Sequence, residues 1–581
     1  MPHRYHESSI PRFPLIKLRP FAALRQKFNE GYTFSDLRAD LMSGAIVAMV
    51  ALPLGMALAI ASGVAPQNGL YTVIIGGSVV ALFGGSRFQV SGPTAAFVVI
   101  LAPIVQKFGL GGLLTAGLMA GLLLVLMGMA RMGRLIQFIS YPVTTGFTAG
   151  IAVVISTLQL KDFFGLHPAK MPDRYFEKVW ALFESRGTAS ATEFTIGACT
   201  LAFLLLWPKV NKRIPAPLVA LTSVSIFTGY LKSRFPELEI STIGNRFTYD
   251  ASGIIGQGIP PLLPHFSLPW NFFGPDGKPF VLSFEAIQSL VPPAFAIAML
   301  GAIESLLSAV VADGMAHTKH DPDAELLALG TGNILCPLFG GIPATGAIAR
   351  TATNIRFGAK SPLSAIFHAG FTLLTILLFA PYVSYLPMAA LAALLILVAY
   401  NMSEVKHFFH IVRVAPRSDV IVLLLCFGLT VSFDMVVGVT IGVVFAALLF
   451  MRNMAAITSS QLSMGGSHPD LKEPIPKEVV VYEIEGPLFF GAAEKAVEAI
   501  SGITDHIRTV IFLMDEVPVM DVTGLVAFES AIKKLTVHHR NVFLVGLKAQ
   551  PAELLSKAGL LQNLNEVRVC STLHEAIQHL T

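Results

Sequence analysis

Charged residues are scarce in this chain. Asp, Glu, Lys and Arg make up 13% of its 581 residues, whereas an average soluble domain has about 25%. Apolar residues make up 54%, and the mean hydropathy is +0.66. Between Leu41 and Gln106 the only charged side chain is Arg87. This shortage excludes an ordinary soluble protein and indicates a polytopic membrane protein.

Cysteine is also scarce, and catalytic or metal-binding motifs are missing. The four cysteines are far apart and form no disulfide framework, zinc site or redox pair. They are Cys199, Cys336, Cys426 and Cys570. There is no Walker motif, His/Cys cluster or nucleophile elbow, and His317 and His320 are interpreted as solvated loop residues. We expect neither an enzyme nor an ATP-driven pump, and no cofactor, metal or nucleic-acid partner.

Polar segments flank a long apolar region. The first 38 residues carry seven basic side chains and no cleavage-site pattern, so the N-terminal segment, residues 1–37, is predicted to be cytoplasmic. Residues 38–455 are predicted to form the transmembrane domain, and 456–476 a polar linker. In residues 477–581 strands and helices alternate, which predicts a small cytoplasmic α/β domain. Its predicted elements are strands 479–484, 509–514 and 541–546 and helices 492–501 and 524–535.

Hydropathy divides the transmembrane domain into fourteen predicted spans. Eleven are clear, and three are too short or too interrupted for a standard span of about 20 residues. The clear spans are 40–61, 69–84, 109–130, 140–160, 191–207, 214–231, 286–312, 361–380, 386–400, 417–433 and 435–452. The short ones are 91–105, 325–339 and 343–356. The polar loop 232–283 contains few basic residues, which predicts an external location.

Two of the short spans begin with similar segments. Ser91-Gly-Pro-Thr-Ala-Ala-Phe97 and Gly341-Ile-Pro-Ala-Thr-Gly-Ala347 open the third and tenth spans, the same position in each half of a 7+7 duplication. Interrupted spans at corresponding positions point to a transporter's binding site. Proline favours a helix start, and the free N–H groups there favour an anion. The sequence therefore predicts an anion site between two half-helices, with two proline-kinked structural helices as the alternative.

Two charged residues stand inside apolar spans. Glu304 lies between Ala294 and Ala312, where all the other residues are uncharged. An acid at the bilayer centre costs about 2.5–3.5 kcal/mol and usually lines an ion pathway; the alternative is a neutral Glu bonded to a neighbouring helix. Arg350 stays charged, so it must meet an anion, a carboxylate such as Glu304, or water.

Together these segments resemble the SulP anion transporter family, and the C-terminal domain looks like the STAS domain of that family. Within the family, the sequence is most similar to bacterial C4-dicarboxylate transporters of the DauA type. The transmembrane segments that carry the resemblance are Leu52–Ala59, Gly63–Tyr71, Gly85–Thr94, Gly301–Leu307, Asp313–Met315 and Ala344–Thr351. In the C-terminal domain they are Ile484–Phe490 and Val517–Gly524.

The resemblance implies a polytopic α-helical membrane fold with fourteen spans in a 7+7 inverted repeat, divided into core and gate domains, plus a cytoplasmic STAS domain. It implies a homodimer in the lipid of a bacterial inner membrane, with both termini cytoplasmic and a possible regulator at the STAS domain. It places the anion site between spans three and ten. The residues there are Thr94, Ala95, Ala96, Thr345, Gly346 and Ala347, with Arg350 nearby.

The resemblance also suggests a coupling site. In sodium-driven bicarbonate relatives, a carboxylate and a hydroxyl four residues later on span eight bind the cation, and Glu304 and Ser308 occupy those positions. Those relatives have Asp rather than Glu, and burial favours the neutral form of a carboxyl group, so a proton is favoured over sodium. In signalling STAS domains a phosphorylated Ser follows an Asp by two residues. Here Thr523 follows Asp521, and it is either a regulatory phosphorylation site or an N-cap.

The predicted function is proton-coupled secondary transport of small organic anions, C4-dicarboxylates such as succinate, fumarate and aspartate, by an elevator-like movement of the core domain. The alternative is a sulfate or bicarbonate transporter, driven by protons or sodium, on the same scaffold. The alternative from another class is a membrane-anchored receptor or an enzyme, and the missing motifs disfavour the enzyme. A dicarboxylate carries a second charge and needs a second donor set, such as Thr94 and Arg350 together.

Overall fold

The computed structural model divides into two compact units, Met1–Val443 and Val444–Thr581, and each is described by itself. Residues 1–20, the predicted helix 492–501 and residues 458 and 465–473 of the predicted linker lie outside the described residues. The structure describes residues 21–134, 140–172, 174–211, 214–251, 254–433, 435–457, 459–464, 474–489, 506–561 and 567–580.

The first unit is built almost entirely of helices. Seven of those in the described residues are long and apolar enough to cross a membrane by themselves. The longer helices are α2 (Phe34–Ala61), α5 (Ala95–Met129), α6 (Tyr141–Phe164), α8 (Ala191–Val210), α9 (Ala216–Arg234), α11 (Phe284–Ala316), α14 (Leu363–Val383), α15 (Met388–Ser403), α17 (Arg417–Ser432) and α18 (Met435–Ile457). The shorter ones are α1 (Ala22–Glu30), α3 (Pro66–Tyr71), α4 (Gly77–Phe83), α7 (Tyr175–Glu184), α10 (Ile243–Arg246), α12 (Pro322–Leu335), α13 (Ile348–Arg356) and α16 (Val405–Val414).

In the described chain, each of the fourteen predicted spans contains a helical segment. A π-helical turn, Thr72–Gly76, joins α3 to α4 in the second span. The third and fourth spans meet at Gly109, whose φ of +70° breaks α5 because only glycine adopts this conformation without strain. The tenth span differs from its prediction. Its helix begins at Ile348 rather than near Pro343, because the residues between them are extended.

Two short strands bring the halves of this unit together. Strand β1 (Ser91–Gly92) pairs antiparallel with β4 (Thr345–Gly346), with Gly92 opposite Thr345. Each strand leads into a helix, α5 or α13. The antiparallel pairing is the arrangement expected of corresponding segments in an inverted repeat.

The helices of the first unit form two packing groups. In one group, α5 packs against α11 and α12, α2 against α14, and α11 against α13. In the other, α6 packs against α15 and α17, and α15 against α8. Glycine permits some of these close approaches, since a Cβ atom on Gly121 of α5 would lie 2.8 Å from the carbonyl oxygen of Gly330 on α12. We name the first the core group and the second the gate group, after the core and gate domains that the resemblance implies. The loop 232–283, which is predicted to be external, holds a hairpin of β2 (Thr248–Ala251) and β3 (Ile254–Gln257).

The second unit contains a five-stranded sheet in sequential order. The three predicted strands are confirmed as β6, β7 and β8, and the predicted helix 524–535 is confirmed as Val522–Val537. Two strands were not predicted. One of them, β5, lies in the predicted linker and pairs antiparallel with β6, whereas the remaining pairs are parallel. The strands are β5 (Ser459–Met464), β6 (Val479–Glu485), β7 (Thr509–Leu513), β8 (Asn541–Val545) and β9 (Val567–Cys570), with further helices Ala549–Lys557 and Leu573–Gln578.

Candidate anion site

The starts of α5 and α13 flank the β1–β4 pair. Thr94 is the N-cap of α5 and Ala347 is the N-cap of α13, and neither side chain bonds to the helix that it precedes. The first N–H groups of a helix have no partner within the helix. Two sets of such groups therefore lie at the ends of one small sheet, and helix starts of this kind attract anions.

Arg350 is the one Arg or Lys side chain that is buried among the residues that the structure describes. It lies in the first turn of α13, and a terminal nitrogen donates to the carbonyl oxygen of Pro93, directly before Thr94. A Cβ atom on Gly92 would lie 2.5 Å from Nη1, so a side chain at this position would displace the guanidinium. The guanidinium of the second half-helix thus lies against the start of the first.

Two nitrogens of the Arg350 guanidinium group remain without a hydrogen bond within the described structure. Nε and Nη1 are buried and have no hydrogen-bond partner among the described residues. A buried donor without a partner costs about 1–3 kcal/mol, and more when it is charged. An anion bound at this position would remove that cost, because a guanidinium donates to oxyanions through paired N–H groups.

Glu304 of α11 contacts Thr94 at the start of α5. The hydroxyl of Thr94 donates to its Oε2 atom at 2.8 Å, which explains why this hydroxyl does not cap α5. The Glu304 carboxyl group is also close enough to Arg350 for their charges to interact, although no ion pair within 4.0 Å joins them in the described part of the chain. A carboxyl group, a hydroxyl and a guanidinium therefore meet where two helices start.

Asp40 and Glu325, two other acids in this unit, have the several hydrogen-bond partners expected of structural carboxylates. Asp40 accepts hydrogen bonds from two backbone N–H groups and two hydroxyls. Glu325 accepts two backbone N–H bonds and one from the Gln89 amide. Both are buried, whereas Glu304 is half-buried and accepts one bond, from Thr94, within the described structure. This contrast favours a functional role for Glu304 over the structural alternative.

The other predicted site residues hold the two strands in place. The hydroxyl of Thr345 donates to the carbonyl oxygen of Gly301 on α11 at 3.0 Å, so its proton is not available to an anion in this arrangement. Ser308 is buried and donates to the hydroxyl of Thr351, which in turn accepts the N–H of Val90. Glu304 and Ser308 thus bond to different partners, which weakens their interpretation as one sodium site.

Sequence reasoning missed a network behind β4. The Gln89 amide donates to Ser305 at 2.6 Å and to Glu325 at 2.8 Å. Gly346 packs directly on it, since a Cβ atom there would overlap the amide nitrogen of Gln89 and lie 3.0 Å from Cα of Ser305. Glu325 gave only a weak signal, because it is the first residue of the predicted span 325–339 and lies two residues after Asp323.

We expect Gly346→Ala to lower anion uptake about tenfold, because the added methyl group must displace the Gln89 amide or strand β4, and overpacking costs about 1–3 kcal/mol. Uptake into proteoliposomes and the unfolding temperature in detergent are the measurements. Gly370→Ala is the matched control, because nothing lies within 4 Å of a Cβ atom there, and it should transport normally. Wild-type uptake by Gly346→Ala would show that this packing is not needed.

In the second unit, Thr523 is exposed in the first turn of helix Val522–Val537. The N-cap of that helix is Asp521, whose carboxylate accepts the N–H of Gly524 at 2.6 Å. The predicted N-cap role of Thr523 is therefore wrong, because the acid two residues earlier already occupies that position. Its phosphorylation remains a prediction.

The chain matches the sulfate permease family over residues 37–426 and the STAS domain over residues 471–576. YvdB of Bacillus subtilis, named as a sulfate transporter, is 40% identical over 541 residues, which cover 92% of this chain and 96% of the relative. BicA of Picosynechococcus sp., named as a bicarbonate transporter, is 28% identical over 570 residues, which cover 94% of this chain and 95% of that protein.

Solved structures agree in fold. The structure of murine Slc26a9, an anion transporter in the inward-facing state, aligns with a TM-score of 0.82 over 99% of this chain and 96% of that chain, at 18% identity. The transmembrane domain of a cyanobacterial BicA aligns with a TM-score of 0.59 over 72% of this chain and 98% of that chain, at 26% identity. The two relatives are named for sulfate and bicarbonate, so they favour the inorganic-anion alternative over the predicted C4-dicarboxylate.

Proposed function

This chain belongs to the sulfate permease family, and from that premise we propose that it is a proton-coupled secondary transporter of small oxyanions, with sulfate the best fit and bicarbonate the second. It is a multi-pass membrane protein with a C-terminal STAS domain. The observation that supports the proposal most is the pair of unpartnered, buried Arg350 nitrogens beside two helix starts.

The charge of the site supports a compact dianion. Each helix start contributes about half a positive charge, and Arg350 contributes a full one. With Glu304 neutral, the site presents roughly two positive charges, which matches sulfate. With Glu304 ionised it presents roughly one, which suits a monoanion such as bicarbonate. Protonation of one side chain therefore changes which anion the site prefers.

Thr94 provides a direct link between the proton and the anion. An ionised carboxylate only accepts hydrogen bonds, so the Thr94 hydroxyl must donate to Glu304, as it does here. A protonated Glu304 can instead donate to Thr94, whose own proton is then free for a substrate oxygen. Protonation thus removes a negative charge beside the anion and adds a donor to it.

This link supports coupled transport. We propose that the core group, which carries the whole site, moves against the gate group in an elevator-like step. The loaded site is close to neutral when Glu304 is protonated and sulfate is bound, and a neutral site crosses a low-dielectric barrier at lower cost. Without the proton, bound sulfate leaves a net negative charge that hinders the movement.

A C4-dicarboxylate is the competing substrate. Its two carboxylates are separated, so the second would have to find its own donors. Arg350 is the single buried Arg or Lys in the described residues, and the hydroxyl of Thr345 already donates to the carbonyl oxygen of Gly301. The donor set is thus better suited to one compact anion.

Uptake into proteoliposomes decides between these substrates. We expect labelled sulfate to be accumulated when the outside is made acidic, without sodium, and excess unlabelled sulfate to inhibit more strongly than succinate. Bicarbonate should compete best at a less acidic pH, where Glu304 is ionised more often. Strong succinate uptake without sulfate uptake would restore the dicarboxylate prediction, and a sodium requirement would contradict the proton.

We also propose, as the sequence predicts, that the protein is a homodimer with both termini on the cytoplasmic side of a bacterial inner membrane. The seven basic residues before the first span support this orientation. Light scattering of the purified protein and protease protection of the termini in oriented vesicles test the two statements.

A further inference from the structure

We propose that the second unit carries a zinc site formed by Cys570, Glu575 and His579. The Sγ atom, a carboxylate oxygen and an imidazole nitrogen of these residues all lie within 4.8 Å of one another. They form the one His/Cys/Asp/Glu cluster with metal-site geometry in the described residues. This inference does not depend on the proposed transport function.

The fold explains how the three residues meet. Cys570 is the last residue of β9, and the chain turns directly into the helix Leu573–Gln578. Glu575 lies on that helix and His579 is its C-cap. These two residues are four positions apart, so their side chains occupy the same helix face. That face is turned towards the end of the strand that carries Cys570.

The carboxylate is already oriented. One carboxylate oxygen of Glu575 accepts a hydrogen bond from the backbone N–H of Ser571 at 2.7 Å. The backbone N–H of Glu575 donates to the hydroxyl oxygen of Thr572. A hydrogen bond of this kind fixes a ligand and strengthens its binding to a metal. The Glu575 carboxylate therefore has the kind of orienting hydrogen bond that metal ligands in known sites have.

The ligand types select the metal. Thiolate, imidazole and carboxylate are all good zinc ligands, with bonds of about 2.0–2.3 Å, whereas calcium and magnesium prefer oxygen alone. A tetrahedral site needs ligand atoms roughly 3.4–3.8 Å apart, so a pair of ligand atoms at the 4.8 Å limit would have to approach by about 1 Å. His579 is exposed and can turn inwards. Three protein ligands leave one position for water.

Cobalt(II) is the probe, because a thiolate bound to it gives a sulfur-to-cobalt charge-transfer band. The experiment uses the full chain in detergent, stripped with a chelator and with any polyhistidine tag removed. We expect the band to saturate at one equivalent, and one equivalent of zinc to abolish it. Glu575→Gln and His579→Ala should weaken cobalt binding at least tenfold, and Cys570→Ser should lose the band.

Two controls match these variants. His574→Ala changes a histidine on the same helix that bonds to Gln578 instead, and Cys199→Ser changes an exposed cysteine; both should keep the band. Circular dichroism establishes that each variant is folded. If Cys570→Ser does not fold, His579→Ala carries the decision, because its side chain is exposed. No band in the wild type, a band that persists in Cys570→Ser, or unchanged affinity in His579→Ala would overturn the site.

Discussion

Arg350→Ala should abolish anion uptake. The substitution removes the two free nitrogens that we assign to the substrate and the full positive charge of the site. Charge-assisted hydrogen bonds contribute about 1.5–3 kcal/mol each, so the loss of two should weaken binding at least about 100-fold. Arg350→Lys should recover a small part of the activity, because an ammonium group restores the charge but not the planar pair of donors.

The measurement is sulfate uptake into proteoliposomes, with sulfate binding in detergent measured in parallel. Arg356→Ala is the control, since Arg356 lies on the same helix but is exposed, and it should transport normally. The Arg350 side chain also bonds to Pro93, so each variant needs an unfolding curve. A well-folded Arg350→Ala protein with normal affinity would mean that the anion binds elsewhere.

Glu304→Gln should separate binding from energy coupling. Glutamine has the shape of a protonated glutamate and can donate to Thr94, so the variant should resemble a protein that permanently carries its proton. Sulfate exchange across the membrane should continue. A gradient of one pH unit stores about 1.4 kcal/mol per proton, enough for roughly tenfold accumulation in the wild type, and this accumulation should disappear in the variant.

The pH profile of uptake shows whether protonation of Glu304 increases or decreases transport. Wild-type uptake should rise as the external pH falls, because protonation of Glu304 frees the Thr94 hydroxyl and removes a negative charge from the site. The Glu304→Gln profile should be flat. Glu285→Gln is the control, because Glu285 is on the same helix but exposed in its first turn. If Glu304→Gln accumulates sulfate with the normal pH dependence, the coupling group lies elsewhere.

The membrane fold could be predicted from sequence because its signals are local. Long apolar runs predict spans, and each predicted span contains a helical segment in the described chain. The start of α13 could not be predicted in this way. Pro343 is a common helix-start signal, but strand β4 follows it and delays the helix to Ile348. That strand exists because its partner lies about 250 residues earlier, and no local pattern records such a pairing.

The candidate site also depends on long-range contacts that local sequence patterns do not predict. Sequence identified Arg350 and Glu304 as charged residues in apolar spans, the resemblance added Thr94, and the structure brings the three together. It could not show that Thr345 donates to Gly301 or that Ser308 bonds to Thr351, because hydroxyl partners depend on helix packing. The substrate prediction followed the overall resemblance, whereas the donor set and the named relatives favour a compact inorganic anion.

In the second unit, the sequence predicts the strands that are mainly apolar and misses those that are more polar. The buried strands β6, β7 and β8 have continuous runs of apolar residues. Strand β5 is largely polar, so its sequence resembles a linker. Cys570 looked like an isolated thiol, because Glu575 and His579 follow it at a spacing that matches no common zinc motif. Only the turn from β9 into the last helix brings the three together.

The pairing of β1 with β4 sets an order of events during synthesis. At roughly 5–20 residues per second, the ribosome makes Thr345 about 13–50 seconds after Gly92. During that interval the backbone N–H and C=O groups of β1 lack their partner, and lipid offers no substitute for it. The first half of the chain must therefore wait, sheltered by the insertion machinery or by its own helices, until the tenth span arrives. A nascent chain stalled before Ala344 should be a target for membrane quality control, even though most of its helices are already made.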